Sequence, residues 1–219
     1  MGFYVGIDLA GSPRRRTGLC VLDDGLRASF SAVYGDDEIV GHVLSVGPKA
    51  VAIDAPLSLP KGRPSLEARG PPHFRACDLE LRRMGIRFFP ITLGPMRALT
   101  ARGLLLKARL AGHGLQVIET YPGAVQDLLG VPRKGSGLAG LVRGLQRLRI
   151  TWDPSRHPSL SHDELDAGYC AYVAYLYARG RALLIGDPDE GLMALPRAMG
   201  RGGVKIYKGP AGPSRKEAP

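Results

Sequence analysis

Phe3-Tyr4-Val5-Gly6-Ile7-Asp8-Leu9-Ala10-Gly11-Ser12 opens the chain with an apolar, β-branched run that stops at a carboxylate and a Gly-Ser turn. Such a run reads as a strand with both faces buried, Phe3 to Leu9, whose acid sits where the backbone leaves the sheet. Ala50-Val51-Ala52-Ile53-Asp54-Ala55-Pro56 repeats the pattern, with Pro56 setting the exit after Asp54. A third run, Leu115 to Glu119, ends in Glu119-Thr120-Tyr121-Pro122. Open α/β sheets place their sites at the carboxyl ends of strands, so Asp8, Asp54 and Glu119 are candidate site residues. Each also has a plainer reading as an acid that begins a turn or meets solvent at a strand end.

Between the first two acids, turn signals punctuate the strands. Gly11 to Arg16 is a basic turn, Thr17 to Leu22 a second strand, Asp23-Asp24-Gly25 a hairpin turn and Leu26 to Val33 a third strand. Asp36-Asp37-Glu38 places acids in the first turn of a helix that runs to about Ser45, where they complement its dipole. The strand ending at Asp54 follows, parallel to the first by the right-handed crossover rule. Residues 56–95 then turn to Pro, Gly and Arg, with a short helix expected over Arg75 to Met84. A segment of this length after a candidate acid reads as a lid-like or substrate-binding insertion.

Further on, helices are expected from Pro95 to Ala111, from about Gly123 to Leu129 and from Leu138 to Arg149, with a turn-rich link over 130–137. The clearest helix begins at Ser161, where Ser161 and Glu164 have capping-box spacing, and ends near Gly180. Asp163 and Asp166, three residues apart, share one face of it. A carboxylate at Asp163 is explained in part by the helix dipole. Asp166 lies a turn deeper, on the stripe that continues through Cys170, Val173 and Tyr177, and capping does not explain it. His162 could touch a phosphate or a metal, and its plainer reading is an exposed residue at a helix start. Ala182 to Pro196 looks like a small hairpin, and 210–219 like a disordered tail after a single domain over 1–209.

Acids brought this close need compensation. Two unit charges ~4 Å apart repel by roughly 4 kcal/mol at an effective dielectric near 20, against a domain stability of ~5–15 kcal/mol. A cluster must bind a cation, take up protons or pair with Arg. Oxygen ligands suit Mg²⁺ or Mn²⁺, and two such ions form the clamp used for phosphodiester hydrolysis. Asp8, Asp54, Asp163 and Asp166 are therefore the candidate metal ligands.

The formal charge of +10 and pI near 9.8 favour a polyanionic partner, and 23 of the 30 basic residues are Arg, suited to bidentate phosphate contacts. Arg14, Arg15 and Arg16 lie beside the Asp8 turn. Arg75, Arg82, Arg83 and Arg87 surround Phe88-Phe89, so a backbone grip with an aromatic for stacking is available. A charge run is also an ordinary solvated face. With 44% hydrophobic and 23% charged residues, and no apolar stretch near the ~18 residues of a membrane span, a membrane protein is not expected. No signal peptide is evident. Three cysteines without metal spacing, Cys20, Cys77 and Cys170, suggest reduced thiols in the cytoplasm. Asparagine is absent, the depletion expected of a heat-adapted protein.

Gly6-Ile7-Asp8-Leu9-Ala10-Gly11-Ser12, Ala52-Ile53-Asp54-Ala55-Pro56-Leu57, Cys77-Asp78-Leu79-Glu80-Leu81-Arg82-Arg83, Glu119-Thr120-Tyr121-Pro122-Gly123 and Ser161-His162-Asp163-Glu164-Leu165-Asp166-Ala167 together resemble the signature blocks of domain-of-unknown-function family 429. That family is regarded as predicted nucleases of the ribonuclease H-like superfamily, and the resemblance covers about residues 3 to 196. It implies an α/β fold with a mixed five-stranded sheet, three strands antiparallel and two parallel, flanked by helices and carrying the insertion after the fourth strand. It also implies a metal-dependent nuclease, a hydrolase using Mg²⁺ or Mn²⁺, with Asp8, Asp54, Asp163 and Asp166 as its acids, similar to Holliday-junction resolvases. Glu119 is an acid that not every superfamily member uses. The partner implied is nucleic acid, DNA or RNA, with no membrane and with room for a homodimer. Two other functions stay open: a non-catalytic nucleic-acid-binding protein, and an ATP-binding phosphotransferase of the sugar kinase and actin type, whose first phosphate turn Asp8 to Ser12 also resembles.

Overall fold

The computed structural model describes residues 1–133 and 137–198. The expected tail over 210–219 and the middle of the 130–137 link lie outside the described residues. Three strands, β1 (Phe3–Asp8), β2 (Thr17–Asp23) and β3 (Ala28–Val33), form an antiparallel meander. Helix α1 (Asp36–Val46) crosses over to β4 (Ala50–Asp54), which pairs with β1 in parallel. After the inserted segment, with α2 (Ala76–Arg83), come α3 (Gly94–Gly112), β5 (Val117–Thr120), α4 (Pro122–Leu129), α5 (Leu138–Arg147) and α6 (His162–Ala178).

Strand order β3-β2-β1-β4-β5 reproduces the mixed ribonuclease H-like sheet that the motifs imply. The strand count does not: among the described residues the sheet has seven strands. The hairpin expected near the C-terminus, β6 (Leu183–Asp187) and β7 (Gly191–Leu195), joins the sheet, with β7 parallel to β5. An unpaired β5 edge would leave a row of backbone donors and acceptors open. β7 covers it, burying Met193, Ala194 and Leu195, and the Thr120 hydroxyl donates to the Ala194 carbonyl at 2.9 Å.

Period-two alternation sends side chains to two cores. Tyr4, Ala50 and Ala52 pack under α6 together with Cys20, Ala167 and Ala171. Val5, Ile7, Val51 and Ile53 face α1 and α3, against Ile39, Val43, Leu106 and Leu110. The entry of α6 is set by the predicted capping box: the Ser161 hydroxyl accepts from the Glu164 N–H, and the Ser161 N–H donates to the Glu164 carboxylate at 2.9 Å. Two glycines then fix how close the helix comes. A Cβ at Gly6 would lie 2.1 Å from the Ala167 carbonyl oxygen, and one at Gly18 2.0 Å from that of Asp163. Glycine in a strand interior usually marks such an approach.

Candidate functional site

Asp8 and Asp54 are register partners on adjacent parallel strands. Residues in register share a face, and parallel strands lie ~4.8 Å apart, so both carboxylates leave the sheet side by side under α6. Because Gly6 and Gly18 admit α6 to backbone contact, the N-terminal half of that helix, with Asp163 and Asp166, sits over the same strand ends. Buried Cys170 of α6 lies within reach of the charges of three of these acids. Its thiol is pushed well above the ordinary range, first by burial and then by the charges of Asp54, Asp8 and Asp166. Asp8, Asp54 and Asp163 are half-buried, while Asp166 is buried and accepts from the Gln126 side chain at 2.7 Å.

Glu119 does not join them. Its register partner on β4 is Ile53, and the residue level with Asp54 is Thr120. One position of offset turns a strand residue to the other face. There Glu119 is buried and takes a bidentate ion pair from Arg75, at 2.6 and 2.8 Å, and a hydrogen bond from the Leu57 N–H at 2.7 Å. Arg75 also pairs with Asp78. The expectation that Arg75 grips nucleic acid is thus corrected: it is only 2% exposed, and its guanidinium donates to the buried carboxylates of Asp78 and Glu119. Burial opposes its charge, but the carboxylate of Glu119, with that of Asp78, holds the guanidinium protonated well above its ordinary range.

This ion pair ties the inserted segment to the sheet, and three further bonds do the same. Glu190, in the β6–β7 turn, accepts from the N–H groups of Lys61 and Ala76, and Glu80 accepts from the Gly186 N–H. Arg63, buried, donates to the carbonyls of Leu66, Ala68, Gly70 and Pro72 and so gathers the loop around itself. On the other side, buried Arg102 of α3 donates to the Ala10 and Tyr34 carbonyls and to Asp36, which braces the turn after Asp8.

The remaining basic candidates are on the surface. Arg14, Arg15, Arg16, Arg82, Arg83 and Arg87 are exposed, with Arg16 also bonded to Glu164 at 2.6 Å. His162 is half-buried, and its Nε2 has no hydrogen-bond partner among the described residues. A cavity of about 160 Å³ opens between Asp54, Arg75 and Glu119 beneath Phe88 and Phe89. Sequence reasoning missed Gln126, Asp78 and the seating glycines. The two glycines carried a local signal, since each interrupts a run of bulky strand residues, whereas nothing near Gln126 or Asp78 announces its partner.

An all-oxygen donor set on two strands and a helix is chemically suited to Mg²⁺ or Mn²⁺ and ill suited to zinc. As the side chains stand, no three His, Cys, Asp or Glu residues form a ready-made metal cage among the described residues. All three cysteines are free and buried. No helix among the described residues is long and apolar enough to cross a membrane.

Strand order β3-β2-β1-β4-β5 gives this α/β protein a ribonuclease H-like topology. The chain belongs to the family described as protein of unknown function (DUF429), whose model matches residues 6–191. Among solved structures it is similar to RuvC of T. thermophilus in complex with Holliday junction substrate, at 16% identity, with 81% of this chain and 96% of that chain covered and a TM-score of 0.48. No curated protein matches the sequence.

Proposed function

We propose that this protein is a metal-dependent nuclease that hydrolyses phosphodiester bonds of nucleic acid. The observation that carries the proposal is the register of Asp8 with Asp54 on one face, with Asp166 brought to the same buried thiol by α6. Asp8, Asp54 and Asp166 would hold Mg²⁺ or Mn²⁺, with Asp163 at the helix start as the further ligand. When bound, the cation supplies Lewis acidity toward a phosphodiester oxygen and lowers the pKa of water. Gln126 fixes the Asp166 carboxylate, so one oxygen is oriented before any ligand arrives. Exposed Arg14 and Arg15, beside the Asp8 turn, would hold flanking phosphates. Residues 56–95 act in this reading as a fixed wall of the cleft, because Arg75 and Glu190 bind the segment to the sheet.

The test is cleavage of labelled single-stranded and duplex oligonucleotides with Mn²⁺ by the wild type and by Asp8→Asn and Asp54→Asn, alongside calorimetric Mn²⁺ binding. Each variant should keep its fold and lose at least about a hundredfold in rate, the scale on which one preorganised electrostatic group acts. A folded Asp8→Asn protein that cleaves at the wild-type rate refutes the assignment.

A further inference from the structure

Beside the acid site runs a second, larger cavity of about 770 Å³ that shares Phe88, Phe89 and Tyr121 with the first. Its volume falls within the roughly 300–1,000 Å³ of small-ligand sites. Phe89 is 68% exposed, so its ring adds little to the core. The loop that carries it is nonetheless held in place. The Arg87 carbonyl accepts from the Tyr121 hydroxyl at 3.0 Å and from Arg133 at 3.3 Å, and Arg133 is itself locked by a bidentate pair with Asp127. On the far wall the Arg82 guanidinium lies 4.3 Å over the Phe74 ring, which meets Phe88 edge-on at 6.0 Å. Exposed Phe89, half-buried Phe74, Phe88 and Tyr121, and exposed Arg82 and Arg87 thus line one groove, which adjoins the cavity that Asp54 lines.

An unpaired nucleobase has two π faces and arrives with a phosphate on either side, and a paired base in a duplex has neither face free. We propose that this groove seats one unpaired nucleotide of a nucleic-acid strand, its base stacked on Phe89 and its phosphates on Arg82 and Arg87. The site would make strands with unpaired bases the substrate class of the adjoining acids. The seating of the nucleotide takes from the proposed function only that the ligand is nucleic acid and needs neither cleavage nor metal; the substrate class rests on that function as well.

The experiment is fluorescence anisotropy of the full chain in EDTA with a labelled oligo(dT) of about 15 nucleotides, a length that spans the groove and its flanks, and with a duplex of equal length. Phe89→Ala should weaken single-strand binding by about tenfold, the range expected for one base–aromatic stack, and leave duplex binding unchanged. Phe89→Trp should restore the affinity, and 2-aminopurine placed in the strand should be quenched by the wild type alone among wild type and Phe89→Ala. Equal loss on both substrates, or no loss at all, overturns the assignment. Competition by dTMP as strong as by the oligonucleotide overturns it in favour of a free-nucleotide pocket. Phe89-dependent binding without Mn²⁺-dependent cleavage would defeat the nuclease and leave the groove; cleavage confined to duplex and indifferent to Phe89 would do the reverse.

Discussion

Gly18→Ala should push α6 off the sheet. The added Cβ would stand 2.0 Å from the Asp163 carbonyl oxygen and 2.3 Å from its carbonyl carbon, where contacts under 3.0 Å do not occur. The obstructing atoms are backbone in a capped helix, so no rotamer change relieves them. Either the first turn of α6 retreats by about 1 Å or β2 bends, and overpacking of this kind costs roughly 1–3 kcal/mol. Gly41→Ala is the internal control. Its Cβ meets nothing within 4 Å in α1, so the same substitution should stabilise by about 0.5–1 kcal/mol. Urea unfolding of the two variants should therefore shift in opposite directions, and thermal midpoints should follow at roughly 2–4 °C per kcal/mol. A retreat of about 1 Å by Asp163 and Asp166 should also weaken Mn²⁺ binding and cut any cleavage on the order of a hundredfold. If Gly18→Ala unfolds like the wild type and binds Mn²⁺ equally well, the glycines do not set the helix position.

Arg75→Met should destabilise by about 3–5 kcal/mol in urea, because it strands Glu119 and Asp78 as buried charges; a loss under about 1 kcal/mol would show that water reaches them. Glu119→Gln should lower stability yet leave Mn²⁺ affinity at the wild-type value, opposite to Asp54→Asn, since Glu119 leaves the other face of β5; a parallel loss of Mn²⁺ binding would return Glu119 to the ligand set. The Tyr4 hydroxyl and the Gly2 N–H hold Asp24 down at about 2. With the folded value below the unfolded value of ~3.9, its contribution is present above that value and disappears as pH falls through about 2. Asp24→Asn should flatten acid unfolding between those limits, and an unaltered profile would refute the assignment. We propose heat adaptation from the missing asparagine; a thermal midpoint in the ordinary mesophile range would contradict it.

Local pattern carried much of the fold. Apolar β-branched runs ending at Asp8 and Asp54, the acids opening α1, and the Ser161–Glu164 spacing each depend on neighbours a few residues away, and each element stands within a few residues of its expected place. β5 was expected over Leu115 to Glu119 and runs Val117–Thr120. That shift decided the status of an acid: by register with β4, Glu119 takes the face of Ile53 and leaves Thr120 beside Asp54. Strand register is settled by packing across the sheet, which no stretch of β5 encodes alone.

Other decisions were equally remote in sequence. Arg75 had the composition of a phosphate contact, and its burial follows from Glu119, a partner 44 positions away. Joining the β6–β7 hairpin to the sheet required β5 to present an open edge. The opening strand, Phe3 to Asp8, determined by its own alternation that an acid would stand at a sheet exit. Only the tertiary structure decided which acids it would meet, because that depended on two glycines letting a helix from residues 162–178 rest on the strand backbone.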